Sequence, residues 1–569
     1  MSTTSRYTLR TMDTRNGSTC SLWLVALSLF GCGPVEQSVP GSIGAGGLAT
    51  NGGAAPRAGA SSSGAAGVGA SESDGGSKSD GGSKSDGGSK SDSGSESGAL
   101  DALAVPSFQR ITAPLPADLQ YLVPPGAAQR NSVGVAAISG DGSTVVVSID
   151  FRWEPPAGGT GRPFRWTPQS GTQPLPFPWV DAVSGDGSVV FSKLAPYEMP
   201  PNLFRWTEQE GSVDLVSPEL FAEYPYGVDF RPSAGPFSSD TGQSLLARGF
   251  SDTGTYNILW QAETGWQTLG REDEAAISAD GGVVMADATH VWSRARDLES
   301  LPDTCTTATL ARASGIVIAV CRNTPEAAPD RVFKLLPDGT QRDLAVPGTP
   351  MLVNADGSTV LFTDDNVESS RGEYLGRFQP ATLWSDATGA LPLDELDGSE
   401  ALLGVSDTGI TLLFNDIDEL DPGVLNTDVS SIPMRWSPAS GRQDLAIPTG
   451  YEYGYATAHN GDASIVAGFA FNDSYLGPTV YSEGTYRTAR RSGAVTIWDE
   501  QGPRVLAEEL AGLIDDPSDL EVGTPLFVTR TDRAIYVIGT GLGPGQASSA
   551  PVGGGAPDTT VWVAALPLR

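Results

Sequence analysis

Few residues in this 569-residue chain are equipped for proton or electron chemistry. It has two histidines, His290 and His459, and four cysteines, Cys20, Cys32, Cys305 and Cys321. Zinc would need Cys and His ligands at short paired spacings, and none occur. A Ser-His-Asp hydrolase would have to recruit one of the two histidines, and no G-x-S-x-G turn presents a serine. His290 stands in a slot that neighbouring repeats fill with phenylalanine, and reads as a packed strand residue. His459 stands in the serine slot of a hairpin turn and reads as a turn residue. The acidic runs Asp416-Ile417-Asp418-Glu419-Leu420-Asp421 and Asp364-Asp365-Asn366 offer hard oxygen ligands suited to Ca2+. Neither follows the twelve-residue EF-hand pattern, so a solvated acidic loop is the plainer reading, and no cofactor is otherwise expected. The recurring Arg165, Arg205 and Arg435 follow the repeat rather than a sialidase-like triad, and read as structural. The chain is therefore expected not to be an enzyme, with a glycosidase or hydrolase as the lesser alternative.

Recognition chemistry is better represented. Tyr451, Tyr453, Tyr455, Tyr475, Tyr481 and Tyr486 place six of the fourteen tyrosines in one short stretch, with Arg487, Arg490 and Arg491 beside them. Tyr and Arg are the usual anchors of interfaces, and tyrosine rings also suit sugar faces. Tyr451, Tyr453, Tyr475, Tyr481, Tyr486 and Arg487 are the candidate partner-binding residues; the alternative is that they pack a long loop. The formal charge of −33 excludes nucleic acid as a partner, because phosphate binding needs clustered Lys and Arg. Protein or glycan partners remain, and a monomer is expected. Cys305 and Cys321 are the two cysteines of the folded part; such a pair in an exported protein reads as a disulfide, buried free thiols being the alternative.

Three segments must position these residues. Residues 1–31 carry Arg6, Arg10 and Arg15, then the apolar run Ser21–Phe30. Ten residues are too few to span a membrane and suit a signal-peptide core. Leu29-Phe30-Gly31-Cys32 resembles the bacterial lipobox, which implies cleavage before Cys32 and lipid on its sulfur; an ordinary secretory leader is the alternative. Gly33 is not the aspartate linked to inner-membrane retention, so an outer-membrane anchor is expected, on the surface or the periplasmic face. Residues 32–104 are mostly Gly, Ser and Ala, with Ser73–Lys78 repeated at 79–84 and 85–90. Such a chain cannot bury enough apolar surface to offset its ordering entropy, and reads as a disordered tether.

Residues 105–569 are periodic. Ser139-Gly140-Asp141-Gly142-Ser143 precedes a valine run, then Phe164-Arg165-Trp166-Thr167, then Gly171 and Leu175. The first half recurs at Ser184–Ser188, Asp240–Gly242, Asp280–Gly281, Ser314–Gly315, Asp356–Gly357, Asp407–Gly409, Asn460–Asp462 and Thr531–Asp532. The second half recurs at Trp206, Trp260, Trp292, Phe333, Trp384, Trp436, Trp498 and Trp562. Eight of the twelve tryptophans thus share one position, which reads as core between repeats. Asp-Gly supplies the positive φ of a tight hairpin, and four antiparallel strands per unit make a propeller blade. The expected fold is all-β: one large β-propeller of eight or nine four-stranded blades. The last unit has no room for a fourth strand, so the strand at 108–115 is expected to complete it and close the ring.

The S-x-D-G-S-x-V-V half followed by F-R-W-T and G-x-x-x-L resembles the HAF repeats of extracellular bacterial proteins. It is similar, more loosely, to the hairpins of TolB-type propellers. The resemblance covers most of 130–569 and implies the fold rather than an activity. The functional expectation is a lipid-anchored exported propeller acting as a binding module at the cell envelope, with a periplasmic scaffold in envelope assembly as the alternative. The connections at 149–162, 364–380, 416–432, 472–493 and 539–558 are expected to be long loops on one rim, where recognition is usually built.

Overall fold

The computed structural model describes residues 97–569 apart from 115, 117–127, 155–157, 178, 194–202, 230–236, 272–274, 303, 323–329, 347, 364–379, 395, 397–399, 408, 418–430, 473–478, 483–484, 489–492, 515–519, 521–523 and 543–558. Cys32, Tyr475 and the tether's Ser-Asp-Gly repeats lie outside the described residues.

Nine four-stranded antiparallel sheets follow one another as blades of a propeller. In blades 1 to 8 the strands, here a to d, are ordered as in the sequence; blade 1 is Ala128–Ile138, Val145–Glu154, Gly158–Thr167 and Gly171–Pro174. The two weak units do not merge, so the count is nine rather than eight. Blade 9 takes strands a to c from the C-terminus and strand d from the N-terminus: Ser107–Ile111 pairs with Thr559–Pro567, from Ser107↔Ala565 to Ile111↔Val561. This closes the ring without leaving an unpaired edge at the seam. Blade 1 packs on blade 9 there, Val145, Phe151 and Trp166 being buried with Tyr536, Ile538 and Val563. A short 3-10 helix, Ser97–Ala102, adds Leu100 to this cluster. Its Asp101 accepts hydrogen bonds from Thr531 Oγ1 at 2.9 Å and Tyr536 Oη at 3.1 Å. Folded structure therefore begins ahead of residue 105.

The Ser-x-Asp-Gly-Ser segments form the a–b turns for a local reason. Asp141 Oδ1 accepts from Ser139 Oγ at 2.6 Å, Ser143 N at 2.9 Å and Ser143 Oγ at 2.8 Å, while Ser139 Oγ accepts the Thr144 N–H at 2.9 Å. Gly142 takes φ +73°. A Cβ there would also collide with the Phe527 ring, so the turn and the packing both demand glycine. Asn354 and Asn460 replace the serine in blades 6 and 8, their Oδ1 accepting from Thr359 N and Ile465 N. The serine slot of blade 8 is thus Asn460; His459, read as a turn residue, is the last residue of strand a.

The turns are tied to one another. Asp141 N donates to Gly185 O, Asp186 N to Asp240 O, Asp240 N to Ala279 O, Ala279 N to Arg312 O, Ala313 N to Ala355 O, Asp356 N to Asp407 O and Asp407 N to Gly461 O. These bonds run from blade 1 to blade 8 and place the a–b turns around the axis. The repeated arginine reinforces them: Arg165 Nη2 reaches Gly187 O at 3.3 Å and Arg435 Nη2 reaches Ser464 O at 3.2 Å, each on the next blade. Trp166, Trp292, Trp384, Trp436, Trp498 and Trp562 are buried, as core between repeats requires.

Candidate partner-binding site

The a–b and c–d turns leave from one rim, and the b–c and blade-to-blade connections from the other. The first rim is finished with short hydrogen-bonded turns. Its c–d turns repeat a hydroxyl cap, Ser170 N to Thr167 Oγ1 at 3.1 Å and Thr388 N to Ser385 Oγ at 3.0 Å. The second rim carries the sequence variation. Not all of it is loop: in blade 1 strands b and c continue to Trp153↔Gly158, so most of 149–162 is extended hairpin. Ile149 and Phe151 of this stretch are buried in the core at the seam.

Among the described residues, blade 8 is the one whose b–c connection forms a further pair of strands. Its strands are Tyr453–His459, Val466–Phe471, Ala494–Asp499 and Gly502–Val505. Between strands b and c the chain forms an additional two-stranded ribbon, Thr479–Ser482 paired with Thr485–Thr488. Its register sets Tyr481 opposite Tyr486 and Val480 opposite Arg487. Tyr451 lies in the lead-in to the blade, half-buried, its N–H donating to Pro448 O at 3.1 Å. Tyr453 opens strand a, with its ring 5.6 Å from Phe471. Tyr455 stacks on Phe469 at 5.8 Å, and Phe469 lies 5.8 Å from Phe471. Tyr453, Tyr455 and Phe469 are half-buried and Phe471 is buried. Their side of the strand looks toward blade 9, because Thr457 Oγ1 donates to Pro525 O at 2.6 Å while Gly454 abuts Pro433 and Trp498 on the other side.

Phe469 and Phe471 were missed in the sequence because strand b is apolar in every blade. The strand pairings Tyr455↔Phe469 and Tyr453↔Phe471 unite them with the tyrosines.

The histidine environments also differ from the sequence reading. His290 does open a strand, His290–Ser293, but it is not simply packed. Its Nδ1 lies 2.9 Å from both Asp287 carboxylate oxygens, and Thr289 N donates to Asp287 Oδ1 at 2.7 Å. Thr307 of the next blade caps the same turn through Asp287 O at 2.9 Å. An oriented imidazole–carboxylate pair of this kind can move a proton, and it sits on the variable rim. His459 Nδ1 lies 2.9 Å from Asn460 O and faces the Gly404 backbone of blade 7.

Cys305 and Cys321 are joined by a disulfide. They are directly opposed in strands Cys305–Ala311 and Ile316–Cys321, an alignment the sequence hid. A bulge between Thr307 and Thr309 shifts the register by one residue and brings the sulfurs together. Asp416 of the longer acidic run pairs with Arg442; 418–421 and 364–366 lie outside the described residues. Among the described residues no group of three or more His, Cys, Asp or Glu could hold a metal ion. No described helix is long and apolar enough to cross a membrane.

No family model matches the chain, and no curated protein matches it. Solved propellers do. The β-propeller domain of the trilobed protease from Pyrococcus furiosus is 10% identical with a TM-score of 0.34, over 66% of this chain and 97% of that one. The acylaminoacyl peptidase of Pyrococcus horikoshii is 10% identical with a TM-score of 0.31, over 72% of this chain and 58% of that longer one. TolB from Acinetobacter baumannii is 12% identical with a TM-score of 0.24, over 64% of this chain and 82% of that one. The TolB-type likeness expected from the hairpins is among these matches; no match shows HAF membership. The expectation that the chain is not an enzyme is corrected: propellers like this one occur in a protease and a peptidase, so the fold gives no ground for setting it outside enzymes. The β-propeller rests on the nine four-stranded sheets, and the likeness assigns no activity.

Proposed function

We propose that this chain is a propeller interaction module held at the cell envelope by lipid on Cys32, and that it meets its partner with the variable rim at blade 8. The division between the rims carries this reading. One rim is consumed by hydrogen bonds that tie blade to blade. The other presents half-buried Tyr451, Tyr453 and Tyr455 together with the ribbon bearing Tyr481, Tyr486 and Arg487. Loops on a rigid scaffold are where binding residues accumulate. Tyrosine rings there give contact area at low entropic cost, and arginine adds a charged anchor. The Leu29–Cys32 box supplies the anchor, and several acyl chains, at about 0.8 kcal/mol per buried CH2, hold a protein on a bilayer.

Two variants of the full chain test it. Cys32→Ser is expected to leave the membrane fraction, and the wild-type mature N-terminal peptide to begin at a lipid-modified Cys32. Tyr481→Ala, Tyr486→Ala and Arg487→Ala together are expected to abolish in-cell cross-links to the partner while leaving the thermal melt unchanged. A Cys32→Ser chain that still pellets with membranes refutes the anchor. Unaltered cross-links in the triple variant refute the site. Cross-links dominated by envelope-assembly components would make the module a scaffold.

A further inference from the structure

Two connections on the variable rim, well away from blade 8 in the ring, are built alike. The chain reaches blade 2 through Trp179-Val180-Asp181 and blade 3 through Tyr226-Gly227-Val228-Asp229. Trp179 and Tyr226 are the most exposed large hydrophobic side chains among the described residues, at 48% and 56%. Each precedes an aspartate, and the two aspartates meet on one lysine. Lys193, ending strand b of blade 2, donates through Nζ to Asp229 Oδ1 at 2.6 Å, and its Nζ lies 3.7 Å from Asp181 Oδ1. Its backbone N–H donates to Asp181 Oδ2 at 3.0 Å. The three side chains keep between 16% and 22% of their surface exposed, so solvent reaches the cluster.

The Tyr226 ring and the Trp179 backbone are held in place. The Tyr226 hydroxyl donates to Asp252 Oδ1, and its backbone N–H to Phe250 O at 3.2 Å. The Trp179 carbonyl accepts from Ser192 Oγ at 2.6 Å. A ring fixed before a ligand arrives, as that of Tyr226 is, loses little entropy when the ligand binds.

We propose that Trp179, Tyr226 and the Asp181–Lys193–Asp229 cluster form a binding site for a neutral oligosaccharide. A pyranose ring offers C–H faces that lie on aromatic rings and hydroxyls that need donors and acceptors at the edge. Trp179 and Tyr226 supply the first, and the Asp181–Lys193–Asp229 cluster that joins their two connections supplies the second. Two carboxylates to one ammonium, on a chain of net charge −33, disfavour an anionic sugar. This site is separate from the blade 8 face and does not depend on it.

Affinity electrophoresis of the full chain tests the proposal, in gels containing mixed-linkage β-glucan, xylan, galactomannan or soluble starch, with polygalacturonate as the anionic control. At least one neutral polysaccharide is expected to retard the protein. Trp179→Ala and Tyr226→Ala should each weaken retardation about tenfold, the loss of roughly one stacking contact. Tyr481→Ala with Tyr486→Ala should not change it. The two aromatic substitutions remove solvent-facing rings, so the thermal melt of each is expected to match wild type. No retardation by any neutral member, preferential retardation by polygalacturonate, or wild-type mobility shifts in the Trp179/Tyr226 double variant would each overturn it.

Discussion

Lys193 joins two blades through carboxylates that belong to different ones, and the cost of that arrangement falls on Asp181. Burial pushes the Asp181 carboxyl up to about 6 from an ordinary 3.8; Lys193 opposes the rise and the Asp229 charge adds to it. The folded protein then holds this proton more tightly than the unfolded chain does. The stabilisation from protonated Asp181 is complete below about pH 4 and is lost as pH rises through about 6. Asp181→Asn cannot titrate. The melting-temperature difference, wild type minus Asp181→Asn, is therefore expected to become more positive as pH falls from 7 to 4; a difference constant across that range would contradict it. None of this was legible in the sequence, because Lys193 and Asp229 are 36 positions apart and only the ring brings them together. Asp287 and His290, three positions apart, were within reach of a sequence reading. The strand slot of His290, filled by phenylalanine in neighbouring repeats, masks the pair in the sequence.

Secondary structure was readable wherever its cause is local. Seven of the nine a–b turns are closed by a serine or asparagine in one slot, most of them also by an aspartate, and the same spacing therefore marks the same turn along the chain; blade 5 closes through Ser314 and blade 9 through Thr531. In blade 2, Asp186 Oδ1 accepts from Ser184 Oγ at 2.6 Å, Ser188 N at 2.9 Å and Ser188 Oγ at 2.8 Å. Asp186→Ala should destabilise the protein by about 1–2 kcal/mol in denaturant titration, since charge-assisted bonds are lost but the turn stays close to water. Unchanged stability would mean that glycine and the turn-to-turn bonds suffice. What the sequence did not reveal is the recurring bulge in strand a. It lies between Val135 and Ala137, Thr307 and Thr309, Pro350 and Leu352, Leu402 and Gly404, Ala456 and Ala458, and Pro525 and Phe527. A bulge has no residue signature here, yet it decides which side chains face the neighbouring blade. It aligns Cys305 with Cys321 and turns Thr457 toward Pro525.

At the scale of the molecule, the ring and its closing strand followed from counting half-repeats: a final unit one strand short and an orphan strand before the first. The location of function did not follow in the same way. Six of the eight tryptophans that mark the repeat are buried core and Trp206 and Trp260 are half-buried, while the residues that vary around it lie on one rim and interact between blades. The central claim is that this rim faces the partner and the hydrogen-bonded rim does not. A photocrosslinking amino acid placed at Tyr481, on the blade 8 ribbon, or at Ser188, in an a–b turn of the opposite rim, tests this in intact cells carrying the lipidated chain. The account predicts a discrete adduct from position 481 and none from position 188; adducts from 188 alone, or equal adducts from both, would contradict it.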